Sequence, residues 1–323
     1  MLLDRVKLYI QTKKLLQPHS TVIVGLSGGP DSVFLLYALK ALEQELNLTL
    51  IAAHLDHQWR ANSSKDALFC QQIAQRLNIP CIVRTACQIS LDKKYNGSQE
   101  ELGRNLRRSF FEHLAHEYNA HTVALAHHAD DQQETFFIRL LRGATLSGLA
   151  SIRALHGMYI RPLLSVTKSE ILAYLHEHSI TYTIDPTNDH TTYLRNRLRS
   201  QVLPTLKLAD NRFDTNFTKT LQHIQDTENF LERLTTTAFL TITKKENNTV
   251  ILSINLFLAC DEFLQPRLLL SWLCSMGVPF RPSTGFFKEL TQFLKQPGPG
   301  SHTFYGKWSV IKKSNQAYIQ DKK

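Results

Sequence analysis

The chain has 323 residues, 43% of them hydrophobic, which suits about two domains with a sizeable core, and no run is long and apolar enough to read as a membrane span. Five cysteines (Cys70, Cys81, Cys87, Cys260 and Cys274) form no CxxC pair, and Asp4, Arg5 and Lys7 interrupt any signal peptide. Those features argue against a disulfide scaffold and a structural zinc site, and they lead us to expect a reducing cytoplasm. The formal net charge of +9 points to a polyanionic partner, but it acquires meaning only beside the chemistry.

In chain order, short apolar runs at 20–25, 48–54, 80–85 and 121–126 read as strands. Helical periodicity fills about 31–45, 63–77, 98–118 and 130–142. This alternation predicts an α/β domain with a doubly wound parallel sheet and right-handed crossovers. Ligands of such sheets bind beyond the carboxyl ends of the strands, where strand order reverses. The 86–100 stretch, with Lys93, Lys94, Asn96 and Gly97, reads as a mobile loop. A strand near 158–163 and a helix near 167–178 complete the domain. Asp185-Pro186-Thr187-Asn188 reads as a turn, followed by a basic helix closed by Leu203-Pro204. A long helical pattern then covers 211–240, and Lys244-Lys245-Glu246-Asn247-Asn248 separates it from a strand-like run at 250–254. Another helix lies at about 260–275, and 303–319 alternates like a hairpin turning at Ser314-Asn315. We therefore expect a catalytic domain over 1–210 and a smaller, mainly helical C-terminal domain over 211–323.

The most informative stretch is 22–32, Val-Ile-Val-Gly-Leu-Ser-Gly-Gly-Pro-Asp-Ser. A buried strand ends there in small residues, and Asp31 or Ser32 is positioned to cap a helix with apolar Phe34, Leu35, Ala38, Leu39 and Leu42. Such a turn gathers unpaired N–H groups at a helix N-terminus, which attracts phosphate. Gly28 and Gly29 let the backbone approach the anion, Ser27 and Ser32 offer hydroxyls, and Asp31 offers a carboxylate to Mg²⁺. No Gly-Lys-Ser/Thr follows, so the loop is not of Walker A type. It resembles, with Pro30 at its variable position, the SGGxDS loop of the N-type ATP pyrophosphatases, which cleave ATP between the α and β phosphates.

A second constellation, Ala126-His127-His128-Ala129-Asp130-Asp131-Gln132-Gln133-Glu134-Thr135, follows the fourth strand. Asp131 and Glu134 share a helix face, and two carboxylates in one cleft are best explained by a cation between them, a metal or an ammonium group. A plain acidic helix N-terminus capped by Asp130 is the competing reading. His127, near the strand end, is suited to a phosphate contact or proton transfer.

Together with this block, further motifs resemble the tRNA(Ile)-lysidine synthase family of PP-loop enzymes. His54-Leu55-Asp56-His57 is similar to its His-x-Asp-His motif, and the segment from Glu100 to Arg107 to its Glu-x-x-x-Arg-x-x-Arg helix. The segment 141–149, Arg161-Pro162-Leu163, Asp185-Pro186-Thr187-Asn188 and Arg195-Asn196-Arg197-Leu198-Arg199 follow in family order. Thr145 and Ser151 stand where the family usually has glycine, and Ala126 replaces a glycine before the histidines.

The resemblance implies an adenine-nucleotide alpha-hydrolase-like fold and a two-step ligation. ATP adenylates C2 of the wobble cytidine (position 34) of a tRNA(Ile) with a CAU anticodon, and free L-lysine then displaces AMP. It implies that Ser27, Gly28, Gly29, Pro30, Asp31 and Ser32 hold ATP, with Asp31 on Mg²⁺ and His54 and Asp56 near adenine and ribose. Asp31, Arg104, His127 and Asp131 become the catalytic set, although the spacing leaves Arg107 open as the catalytic arginine. Asp131 and Glu134 would hold lysine or, alternatively, a metal. Arg195, Arg199 and Arg107 would contact tRNA phosphates, with Arg195 and Arg199 on one helix face and Arg197 opposite. No membrane partner is implied, and a homodimer is left open. Most aromatics among Phe286, Phe287, Phe304, Tyr305 and Trp308, beside Lys288 and Lys307, read as small-domain core.

Rival readings are a PP-loop tRNA cytidine thiolase, which needs paired cysteines or an iron–sulfur cluster, and a non-catalytic ATP sensor. A synthetase fed by a glutaminase would need that domain before the loop. A sensor would need neither the acidic pair nor the arginine helix.

Overall fold

A computed structural model describes residues 2–59, 63–90, 98–184, 194–279, 282–306 and 308–321, and the backbone but not the side chain of Glu100. The expected turn at 185–188, Lys307 and the 91–97 part of the expected loop lie outside the described residues. The chain divides into two compact units, Met1–Leu221 and Gln222–Lys323. Among the described residues no helix is long and apolar enough to cross a membrane.

The first unit runs α1 (Leu2–Thr12), β1 (Thr21–Gly25), α2 (Pro30–Leu46), β2 (Thr49–Asp56), α3 (Ser63–Arg76) and β3 (Cys81–Thr85). It continues with α4 (Gln99–Glu117), β4 (Thr122–Ala124), α5 (Ala129–Leu141), α6 (Leu146–Leu149), β5 (Leu155–His156) and β6 (Tyr159–Ile160). Then come α7 (Lys168–Glu177), α8 (Leu194–Arg197) and α9 (Leu203–Ala209). The six strands are ordered β3-β2-β1-β4-β6-β5, and only β5 is antiparallel to its neighbour.

Strand β1 is an unbroken apolar run because helices cover both of its faces. Val22 and Val24 belong to one core with Val33, Phe34 and Leu35 of α2, whereas Ile23 points to the other, with Phe110 and Leu114 of α4. The 2.0-residue strand period thus explains which helix each β-branched side chain meets. Every one of these residues is at most 1% exposed, and burying a side chain of this size contributes about 1.5–3 kcal/mol. Strand order reverses at β1, between β2 and β4, so both informative sequence segments emerge at the sheet's switch point.

Pro204 does not close the arginine helix. A five-residue π turn, Leu198–Val202, links α8 to α9, and Pro204 sits in the first turn of α9, where its missing N–H costs little.

Helix α10 (Phe213–Ile242) begins in the first unit and ends in the second. After it come β7 (Thr243–Glu246), β8 (Thr249–Ser253), α11 (Ile254–Leu258), α12 (Gln265–Ser275), α13 (Thr284–Lys295), β9 (Gly300–Phe304), β10 (Trp308–Lys313) and β11 (Gln316–Asp321). The helical content expected here is present, together with an antiparallel sheet ordered β7-β8-β11-β10-β9. The Lys244-Lys245-Glu246 run, read as a separator, is the charged edge strand β7. Its turn is Asn247-Asn248, at φ 44° and 64°. The Ser314-Asn315 turn joins β10 to β11 as expected, pairing Lys313 with Gln316. Trp272 is wholly buried and donates to the Val250 carbonyl at 2.7 Å, so much of the aromatic content is core.

Candidate active site

The glycine loop is built at the junction of β1 and α2. Gly28 takes φ +87°, and a Cβ there would sit 2.8 Å from Thr183 Oγ1, so the position excludes a side chain. Gly29 is the N-cap of α2 and Pro30 opens its first turn, so neither Asp31 nor Ser32 caps the helix. The reason is local: proline presets helical φ and has no N–H to satisfy. Ser32 instead ties the loop together, its hydroxyl accepting from Ser27 N at 3.1 Å and donating to Gly29 O at 2.9 Å. The turn is therefore preformed around a helix N-terminus, the geometry that receives an anion.

Asp31 lies one residue further on, with Oδ1 accepting from Lys168 Nζ at 2.6 Å and Oδ2 3.8 Å from His128 Nε2. Lys168 was missed in the sequence, although it opens a helix signalled by the Thr167–Glu170 capping box. His128 was also missed as a centre. Its ring is buried, 3.4 Å from Asp130 Oδ2 and 3.5 Å from Asp131 Oδ2. Burial is the largest influence on His128 and favours the neutral ring, yet Asp130, Asp131 and Asp31 outweigh it and raise its pKa. Burial likewise opposes ionisation of Asp130, but His128, the Lys168 amide and Lys207 hold it below the ordinary carboxylate range. The N-cap of α5 is His128 rather than Asp130, and its N–H donates to Asp131 Oδ2 at 2.9 Å. Asp130 turns away to accept from Lys168 N at 2.8 Å.

Asp131 and Glu134 face one way, as their spacing demands, and Glu134 is fully buried. In this structure two guanidinium groups contact the pair. Arg195 donates to Glu134 Oε2 at 2.5 Å and to Asp131 Oδ1 at 2.6 Å, and Arg199 donates through Nε to Glu134 Oε1 at 2.6 Å. Arg195 and Arg199 do share a face, but in this structure that face is turned to the acidic pair. The opposite side of α5 is fixed by rings: Phe136 meets Phe217 edge-on at 5.2 Å, and Phe137 stacks near Phe213.

His127 is only partly exposed, and its pKa is pushed down to about 4, first by burial and further by Arg161, Arg195 and Arg104, against the pull of Asp131. Arg104 and Arg107 are exposed on α4. His54 and Asp56 are buried at the end of β2. His54 Nδ1 lies 2.9 Å from Leu26 O and 3.3 Å from Cys70 Sγ, while Asp56 accepts from Gln58 N at 2.8 Å. His54 thereby braces Leu26, next to the glycine loop, whereas Asp56 closes its own turn at Gln58. Next to them His57 stacks on Trp59 at 4.4 Å, and its pKa falls to about 4 through burial, Arg107 and His54.

At the two departures from the glycine pattern, Thr145 has an ordinary φ of −70° and opens α6, so it needs no glycine. Ser151 does take a left-handed φ of 61°, and its hydroxyl offsets part of that strain by donating to Gln132 O at 3.1 Å.

A pH dependence follows. The unfolded chain takes up a proton on His57 and on His127 as pH falls from 6.5 to about 4, and the folded chain does not. Stability of the first unit is expected to fall through that window, by at most about 1.4 kcal/mol per pH unit for each histidine. His128 has the opposite sign: its contribution is complete below pH 6.5 and is lost as pH rises through its raised value. Urea midpoints at pH 7, 6 and 5 check this, and equal stability at pH 7 and 5 would contradict it.

Comparison with known proteins agrees with this geometry. A PP-loop domain model matches residues 4–206. A tRNA(Ile)-lysidine synthase of Bacillus cereus (strain ATCC 10987) is 35% identical over 319 residues, covering 96% of this chain and 67% of the relative. The synthase of Bacillus subtilis (strain 168) is 33% identical over 323 residues, covering 97% and 68%. The chain thus spans about two thirds of their length. Among solved structures, a U34-tRNA thiolase of Methanococcus maripaludis with its [4Fe-4S] cluster aligns at a TM-score of 0.57 and 17% identity. It covers 70% of this chain and 79% of that one, and the likeness is one of fold. Among the described residues no group of three or more His, Cys, Asp or Glu could hold a metal. With a glycine loop and an acidic α5 at one switch point, and relatives aligned along nearly its whole length, the chain belongs to the PP-loop family and, within it, to the tRNA(Ile)-lysidine synthases.

Proposed function

We infer that this chain is an ATP-dependent ligase that forms a carbon–nitrogen bond on tRNA. The C2 oxygen of the wobble cytidine of tRNA(Ile), anticodon CAU, attacks the α-phosphate of ATP and pyrophosphate leaves. The amine of free L-lysine then attacks C2, the C–O bond to AMP breaks, and lysidine results, switching the codon read from AUG to AUA. The observation that carries this reading is the convergence of the preformed anion loop and the Asp131–Glu134 pair at one edge of one sheet.

Ser27, Gly28, Gly29, Pro30 and Ser32 are proposed to cradle the phosphates, with His54 and Asp56 supporting the nucleotide side. Mg²⁺ fits as a nucleotide-borne ion: it commonly takes one or two protein carboxylates and completes its shell with phosphate and water. Asp31 would hold it, and the ion would supply charge neutralisation for departing pyrophosphate. His127, whose pKa is pushed down to about 4, is a weak base at pH 7 and is proposed to serve as a neutral hydrogen-bond donor to the reacting groups. Arg104 is proposed to stabilise charge on the adenylated cytidine. For lysine, the seat is Asp131 with Glu134. Arg199 binds Glu134 through Nε alone and its side chain is 48% exposed, so it is the partner an incoming ammonium would displace. Once released, Arg199 would join Arg195 and exposed Arg107 in contacting tRNA phosphates. The region from 211 onward is proposed to add tRNA affinity rather than chemistry. A homodimer of the chain would show in sedimentation velocity.

The test measures pyrophosphate release with bulk tRNA, with and without lysine, and radiolabelled lysine entering tRNA. We expect tRNA-dependent release and lysine incorporation. Release without incorporation would favour a thiolase, and no release a nucleotide sensor.

A further inference from the structure

Arg161-Pro162-Leu163 has no part in the chemistry above. Strand β6 runs parallel to β4 with Tyr159 opposite Val123 and Ile160 opposite Ala124, and Leu125 N donates to Ile160 O at 2.9 Å. Arg161 therefore leaves the sheet at its carboxyl edge, alongside the segment that leads to His127. Tyr159 and Val123 pack in the core on the α4 side, and strand alternation sends Arg161 and His127 to that same side. Helix α4 lies along this face: Arg108 acts on Tyr159, and Arg104, about one turn earlier, acts on Arg161.

Among the described residues this edge is cationic, and several of its buried polar atoms have no partner. Arg161 Nη1 is oriented by Arg153 O at 2.9 Å, but its Nε is buried without a partner, as are His127 Nδ1 and the Tyr159 hydroxyl. Arg139 is fixed close by, donating to Gly148 O at 2.7 Å and Ser151 O at 3.1 Å. Among the described residues, neither Arg104, Arg139 nor Arg161 forms an ion pair. Burial, and then the charge of Arg104, lowers the pKa of both Arg139 and Arg161. Like charges around a buried, unpaired N–H donor are accounted for by an anion that binds there.

We propose that Arg161, with Arg104 and His127, forms a second anion seat on the α4 side of the cleft, separate from the glycine loop, which receives a phosphate group. The reading above supplies two sources, a phosphate of ATP or a backbone phosphate of the bound RNA, and the inference rests on that reading.

The test compares wild type with Arg161→Gln and with Arg161→Lys, which keeps the charge and removes the Nε donor. Equilibrium dialysis with ATP alone gives one Kd, and tRNA binding across a salt series gives another. An RNA phosphate predicts roughly tenfold weaker tRNA binding, with the salt slope reduced by about 0.7–0.9 and ATP affinity unchanged. A nucleotide phosphate predicts roughly tenfold weaker ATP binding without tRNA. Selective arginine Nε–H spectra of wild type, titrated with ATP or an anticodon stem-loop, should shift one buried resonance, and this needs no folded variant. If both affinities and that resonance stay unchanged, Arg161 only orients Arg153 and the seat does not exist. Wild-type pyrophosphate release is measured alongside, so that such a result with release intact refutes the seat but not the ligase.

Discussion

Asp31→Asn is expected to reduce tRNA-dependent pyrophosphate release by two to three orders of magnitude or more while leaving the melting curve close to wild type. Asp31 is the carboxylate immediately beyond the glycine loop, and its side chain is 28% exposed, so it is accessible to a nucleotide-borne ion. Charge neutralisation lost from a leaving group is worth several kcal/mol, about 2.7–4 for one oriented donor in a comparable site. Its structural role is small by contrast. Lys168 keeps 36% of its side chain in solvent, so losing the 2.6 Å bond leaves its ammonium hydrated rather than stranded. Pyrophosphate release near wild type from a folded variant would remove Asp31 from the site.

Glu134→Gln is expected to damage both fold and function, and the two effects separate. The carboxylate has no solvent exposure and accepts from two guanidinium groups, whereas an amide presents a donor to one of them. Breaking a fully buried pair costs about 3–5 kcal/mol; Arg195 and Arg199 remain 35% and 48% exposed, so about 2–4 kcal/mol is expected. A lost charge-assisted contact to lysine, about 1.5–3 kcal/mol, would raise the lysine KM roughly ten- to more than hundredfold. Adenylation of tRNA should survive better than lysidine formation. Arg199→Ala is the counterpart: it frees one oxygen of Glu134 and should not raise the lysine KM. Titrating lysine at saturating ATP and tRNA, below the melting range of each protein, reads both. An unchanged lysine KM in Glu134→Gln with altered Mg²⁺ dependence would make the pair a metal site.

Much of this site was legible in the chain because its parts are local. The strand–glycine–helix transition at 22–32 depends on neighbouring residues, and so does the i, i+3 spacing that places Asp131 and Glu134 on one face. The hairpin at Ser314-Asn315 and the alternation of β1 to β4 with α2 to α5 were readable for the same reason: periodicity and turn chemistry act over a few residues. Helix α1 and the short α6 and β5 were not read. Local rules failed where two local solutions compete. Pro30 moved the start of α2 away from Asp31, and a π turn carried the arginine helix past Pro204.

Partnerships across long sequence separations belong to the tertiary structure. Lys168 meets Asp31 across 137 positions, and Arg195 and Arg199 meet Glu134 across 61 and 65. Sequence spacing placed the acidic pair on one helix face, but only the packing of α8 and its π turn against α5 brought two guanidinium groups to it. The same holds for Asp31 beside His128 and for Arg161, whose place beside His127 depends on which strand lies next to β4. A residue's type and near neighbours limit what it can bind; strand order and helix packing decide which distant charges reach it. Desolvation then sets how strongly they act, and that depends on the folded core.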